Sequence, residues 1–128
     1  MTPTYNPQAT PAIAAECNGT VTINSLVKID NTGKVVVTTA ITDDVYGVAL
    51  QAGVSGDMIP VQQFGRAKIV CSAAVNPAAQ VMPGASGKCA TAAGATAKSF
   101  GIAESTTGAN NELLMVTLRL GVNGPANT

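Results

Sequence analysis

The sequence predicts an all-β protein: a small β-barrel or β-sandwich built from two similar modules, with an extended N-terminal arm. Three observations carry this. From Thr20 onward apolar residues recur mostly with a period of two, in short β-branched runs broken by Gly, Asn, Asp and Ser. The same series of segments occurs twice, at an offset of 54 residues. Ahead of them, Pro3, Pro7 and Pro11 interrupt any continuous helix or central strand.

Residues 1–18 read as the arm, rich in Thr, Pro, Asn and Ala. One helical turn is expected over Pro11–Cys17, with Thr10 as N-cap and Pro at the first helical position. Asn18-Gly19 gives a turn, and a β-rich domain is expected over residues 19–122, with a short flexible tail at 123–128. Thr20–Ile23 and Leu26–Asp30 alternate, and Asp30-Asn31-Thr32-Gly33 supplies a tight reversal in which Gly33 is free to take positive φ. Further strands are expected at Lys34–Thr39, Val45–Gln51, Met58–Phe64 and Arg66–Cys71, Pro60 arguing for an edge or a bulge in the third of them. A short helix around Ala73–Ala79 is limited by Pro77. Gln80–Met82, Lys88–Thr91, Ser99–Glu104 and Glu112–Leu120 complete the series.

The repeat is the most informative feature. Val27 maps on Val81, Gly33-Lys34 on Gly87-Lys88, Thr42 on Thr96, Gly47 on Gly101 and Ala49 on Ala103. Tyr46 and Val48 map on Phe100 and Ile102, and, after one inserted residue, Ile59 and Val61 on Leu114 and Val116. Both glycines keep register, which points to a duplication.

Composition bounds the function. Among 128 residues there is no Trp and no His, and the aromatic residues are Tyr5, Tyr46, Phe64 and Phe100. A core of Val, Ala, Ile and Leu is thin, which predicts modest stability alone and a need for partners. Charged residues are 11% of the chain, against about 25% in an ordinary soluble domain. Seven acids cancel seven bases, a balance that favours association. No basic patch suits a phosphate backbone, so nucleic acid is not an expected partner. No apolar run approaches the ~20 residues of a membrane-spanning helix, and the first twelve residues lack the pattern of a secretory signal. Cys17, Cys71 and Cys89 are odd in number and lack CxxC spacing, so they read as buried thiols in a protein made in a reducing cytoplasm.

Chemical motifs are sparse. Pro83-Gly-Ala-Ser-Gly-Lys88 fails the phosphate-loop pattern, which needs Gly where Met82 sits and Ser or Thr where Cys89 sits. Asp43-Asp44 offers too few ligands for a hard cation and reads as turn chemistry. Without His, the commonest general base and transition-metal ligand is missing. Asn18-Gly-Thr20 is a glycosylation sequon by pattern only. The expectation is a protein that is not an enzyme, with no cofactor, metal or small-molecule substrate.

The segments "INSLVKIDNTGKVVV", "YGVALQAGVSGDMIPVQQFGRAKI", "PGASGKCATAA" and "FGIAESTTGANNELLMVTLRL" together resemble the capsid cement, or head decoration, proteins of tailed bacteriophages. The resemblance spans about Gly19–Gly121 and is one of order and spacing. It implies a β-rich, homotrimeric structural protein on the outer capsid surface of the virion, synthesised in the bacterial host cytoplasm. It also implies the phage major capsid protein as partner, clamped across its lattice so that the head is stabilised. Thr4, Tyr5 and Ile13, the largest apolar or semi-apolar groups of the arm, are the candidate capsid contacts. Deletion of residues 1–17 is then expected to weaken shell binding and leave the domain folded. The alternative is a β-sandwich adhesion or receptor-binding module on a virion or cell surface, such as a head fibre base.

Overall fold

The computed structural model describes residues 12–94 and 96–120. Ten strands form two five-stranded antiparallel sheets. The first contains β1 (Ala12–Glu16), β2 (Leu26–Ile29), β3 (Val35–Val37), β4 (Gly47–Ala49) and β5 (Met58–Gln62), ordered β1-β5-β4-β2-β3. The second contains β6 (Gly65–Val70), β7 (Gln80–Pro83), β8 (Cys89–Thr91), β9 (Gly101–Ala103) and β10 (Leu113–Leu118), ordered β6-β10-β9-β7-β8. A 3-10 turn, Ala85–Gly87, precedes β8. Each sheet curls until its two edges touch at one parallel bridge, Cys17 to Val35 in the first and Cys71 to Cys89 in the second. Neither curl is a continuously bonded barrel, so the architecture is a sandwich-like pair of similar modules.

The expected duplication is present in the backbone. A shift of 54 carries β2, β3 and β4 onto β7, β8 and β9, and β1 into β6. It also carries the Val21–Gly53 bridge onto Val75–Thr107, and Asn24 (φ 65°) onto Ala78 (φ 70°). The inserted residue falls between the Gly53 and Gly56 equivalents. Beyond it a shift of 55 takes the Gly56 N–H bond to the Cys17 carbonyl onto that of Asn111 to Cys71.

Several local expectations are corrected. The turn of helix after Pro11 is a strand instead: all five residues of β1 pair with β5, which supplies the backbone partners that a helix would otherwise provide. The expected arm, 1–18, therefore includes an edge strand, while residues 1–11 and 121–128, with the expected tail, lie outside the described residues. In Thr20–Ile23 only Val21 is bridged, because Asn24 turns the chain in the left-handed region. Ala73–Ala79 is not helical, since Val75 pairs with Thr107 and Ala78 has positive φ. Pro60 lies in β5, flanked by β1 and β4, yet at the last rung of the β4 ladder. There its carbonyl accepts from Leu50 N–H at 3.0 Å, and the missing proline N–H leaves no internal rung unmade.

Each module encloses its own apolar cluster. Cys17, Val21, Val27, Val35, Ala49, Ile59 and Val61 fill the first. Their equivalents Cys71, Val75, Val81, Cys89, Ala103, Leu114 and Val116 belong to the second. The second cluster is larger because Leu26 and Val48, from the outer face of the first sheet, and Val45, just before β4, join it with Ala67, Ile69, Phe100 and Leu118. The modules meet head to tail. A Cβ at Gly87 would meet the Ser25 Cβ at 2.8 Å and the Leu26 carbonyl at 3.0 Å, whereas the equivalent Gly33 has open space around it. Gly87 N–H to Thr38 O (3.1 Å), Thr38 Oγ1 to Gly84 O (2.9 Å) and Lys98 N–H to Ile41 O (2.9 Å) tie the joint.

The repeated glycines of "YGVA" and "FGIA" are there for space. A Cβ on Gly101 would lie 2.5 Å from the Thr117 carbonyl oxygen and 2.7 Å from Val116 Cγ1, and one on Gly47 would run into Val61 and Gln62. Gly101→Ala is expected to lower the unfolding free energy by about 2–3 kcal/mol, as overpacking does. Gly108→Ala, with nothing within 4 Å of the added carbon, shifts it by less than about 1 kcal/mol. Urea midpoints of the two variants read the difference.

A candidate interaction surface on the first module

Directly opposed residues of antiparallel strands share a face. Ala12 opposes Gln62, Ala14 opposes Pro60 and Glu16 opposes Met58, so these six form one face of the β1–β5 pair. It is the same face that carries Leu26 and Val48 into the joint, since Val48 also opposes Gln62. Gln62 itself is buried and donates to the carbonyls of Phe64 (3.0 Å) and Arg66 (2.8 Å). Beyond it the face opens: Ala12, Ala14 and Met58 are exposed, Met58 to 61%, with Leu50 and Pro60 half-buried beside them. Glu16 is its one charged group and is paired with Lys34 at 3.2 Å. Among the described residues, the backbone of Ala12–Glu16 pairs with no strand other than β5.

The second module shows what the same positions hold when they are guarded. Ala12 and Ala14 become Arg66 and Lys68, Leu50 becomes Glu104, and Pro60 and Gln62 become Met115 and Thr117. Arg66 Nε lies 2.7 Å from Glu104 Oε1, and Glu104 also accepts a bond from the Thr117 hydroxyl. Charged side chains, lysine above all, are how natural edge strands avoid pairing with other chains. β6 follows that rule and β1 does not. The β1 edge and its small apolar face are therefore the candidate surface.

Of the arm residues singled out in the sequence, Ile13 is on β1, 41% exposed, but opposes Val61 and so lies on the opposite face, at the rim of the first core. Thr4 and Tyr5 lie outside the described residues. Deletion of residues 1–17 would remove β1 and the buried Cys17, so it tests the fold as well as any contact. Ala12, Ala14, Leu50, Met58 and Pro60 escape a reading for large anchors. Aligning the two copies position by position would have found three of them, Ala12, Ala14 and Leu50, as apolar residues where the other copy has Arg66, Lys68 and Glu104.

The remaining motifs resolve into structure. The N–H of Gly87 donates to Thr38, and that of Lys88 to Ala85 O at 3.3 Å, so the Gly84–Lys88 loop spends these donors internally rather than on a phosphate. Ser25-Leu-Val-Lys28 has the spacing of a Ser-x-x-Lys nucleophile, but Ser25 Oγ donates to Thr22 O (2.6 Å) and Lys28 Nζ to Asp43 (3.1 Å). The thiols of Cys17, Cys71 and Cys89 are buried and in no disulfide, and burial, with Asp57 and Glu16 adding to it, pushes the Cys17 thiol up. Among the described residues, no group of three or more Cys, Asp or Glu is placed to hold a metal.

Asp44 reaches across the joint to Lys98 Nζ at 2.8 Å. Asp43 is a turn clasp. Its Oδ2 accepts from the N–H groups of Thr39 (2.7 Å) and Ala40 (2.9 Å), and its Oδ1 from Lys28. Burial opposes its charge, but these donors outweigh it and hold the carboxyl below its ordinary range.

One structural comparison bears on the fold. The N base of the head fiber protein gp8.5 of bacteriophage phi29 superposes with a TM-score of 0.68 at 14% identity, over 86% of this chain and 94% of that one. The fold resembles a phage head-fibre base. No protein-family model matches the sequence, and no curated protein matches it.

The clasp gives a pH signature. A carboxyl with a depressed folded pKa adds stability above the unfolded value, near 3.8, and that stability is lost as pH falls through the folded value. Asp43→Ala should cost about 1–2 kcal/mol at pH 7, and its gap from wild type should narrow as pH drops below about 4. Denaturation at pH 7 and pH 3 measures this.

Proposed function

We propose that this protein is a structural component of a phage head, a cement or decoration protein that binds the outer surface of the major capsid protein lattice and stabilises the shell. The observation that carries the reading is the fold it shares with a head-fibre base, a module of a protein attached to a phage head. The near absence of net charge and the unguarded β1 edge support it, since both suit a surface that is covered when the protein is in place.

In this reading β1 docks on the shell. An exposed strand edge recruits a partner strand through main-chain bonds, and small residues such as Ala12 and Ala14 let the partner backbone approach closely. Residues 1–11 run directly into that strand, so Thr4 and Tyr5 would extend the contact. The protein acts as a homotrimer whose copies share the load of many weak contacts. It is made in the host cytoplasm, works on the virion, and needs no cofactor, nucleic acid, membrane or substrate.

The structural neighbour favours a second reading: the chain is the base of a head fibre or of another adhesion or receptor-binding module, and holds a further protein rather than neighbouring capsid subunits. Co-sedimentation with expanded empty shells of its own phage separates the two. The cement reading expects saturable binding, a trimer mass in solution, and a loss of roughly tenfold in affinity, ~1.4 kcal/mol, for Ala14→Lys with melting unchanged. Removal of residues 1–11 should also weaken binding and leave both sheets intact. A monomer that ignores the shells would sink the cement reading and leave the second.

A further inference from the structure

We propose that Cys71 and Cys89 form a latent disulfide site: a small-molecule disulfide oxidises the pair, and the new bond locks the two edge strands of the second module together. The site is built into the curl of the sheet. β6 and β8 are the edges of the second sheet, and they meet at the single parallel bridge between these two residues. Ser72 N–H, donating to the Cys89 carbonyl at 2.9 Å, fixes the approach. The two sulfurs lie 3.3 Å apart and share a hydrogen bond, so closure to the ~2.0 Å of a covalent bond asks for a side-chain adjustment and no rearrangement of strands.

The first module is the internal control. At the equivalent bridge Cys17 faces Val35, so the same closure there has one sulfur and admits no bond. Valine at the Cys89 position is thus already compatible with this curl. The second copy alone carries a thiol on both edges.

The pair is also differentiated chemically. The hydrogen bond from Cys89, aided by Thr107, outweighs burial and draws the Cys71 thiol down to about 7, while Cys89 is pushed up by that bond and by burial. Cys71 is the attacking group by this criterion. Its thiolate displaces one thiolate from the small disulfide and leaves a mixed disulfide on Cys71. Cys89 then gives up its proton, and its sulfur displaces the second thiolate as the Cys71–Cys89 bond forms. Two protons and two electrons leave the protein, and the electrons reduce the small disulfide to two thiols. Both cysteines are buried, but exposed Ser72, Ala73 and Ala74 follow Cys71 in the chain, so the proposal requires local opening of that segment to admit the oxidant.

The bond would close a loop between residues 18 apart and restrict the unfolded chain. The full chain is incubated with oxidised glutathione or with a phosphine reductant, quenched in acid, alkylated in denaturant and digested with trypsin. Lys68, Lys88 and Lys98 place Cys71 and Cys89 on separate peptides, 69–88 and 89–98, and Cys17 on a third. The expected result is a cross-link between 69–88 and 89–98, with Cys17 recovered free. The oxidised form should melt about 10 °C higher. Cys89→Val should melt like the reduced wild type and show no rise on oxidation. Recovery of all three thiols under conditions that oxidise the urea-unfolded chain overturns the proposal. So does a persistent glutathione adduct on Cys71, or pairing of Cys17.

Discussion

The second core is closed by side chains that do not belong to it. Leu26 and Val48 leave the first module by the outer face of its sheet and, with Val45 just before β4, pack with Ala67, Ile69, Leu118 and Phe100, the one fully buried aromatic ring among the described residues. A chain this short of large side chains has little area to bury in either curl alone, and the joint recovers it by using both faces of β2 and β4. Close approach of the 84–87 turn depends on Gly87. It combines positive φ with the absence of a Cβ where the Ser25 and Leu26 backbone passes. The joint makes two weak modules into one folding unit.

Most of the strand pattern was legible because the physics behind it is local. Alternation in Leu26–Asp30 and Glu112–Leu120, β-branching in Lys34–Thr39 and the Gly33 reversal each mark a strand or its end within a few residues. The duplication was legible because Gly47 and Gly101 answer to the same crowding against a neighbouring strand. The failures share another cause. β1 is a strand only by virtue of β5, some 46 residues later in sequence, and nothing in Ala12-Ile-Ala-Ala-Glu16 alone distinguishes it from a helix start. Ala78 takes a left-handed conformation that its side chain does not favour, because its position repeats that of Asn24. Pro60 misled for a related reason: the sequence marks the missing donor but not which rung it would have served.

The candidate surface was illegible for a subtler reason. Alanine on a strand carries no signal by itself, and large residues such as Tyr5 draw the eye to other places. Its meaning comes from the second copy, where the same face carries Lys68 and the ion pair of Arg66 with Glu104. Two copies of one backbone have diverged in what they ask of water. One side is kept solvated and the other is left bare, and that difference, more than any single residue, points to where the molecule meets something else.

The freedom of the Asp30–Gly33 reversal has a practical corollary. Its twin at Gly84–Gly87 is wedged into the joint, but a Cβ on Gly33 would meet nothing, and Asp30 holds the turn through Thr32 and Lys34 while accepting from Asn18. Foreign peptide spliced between Asn31 and Thr32 would project from the body without touching either core, making this tip the natural graft point for a displayed epitope. The corresponding splice at Ala85–Ser86 would prise the halves apart.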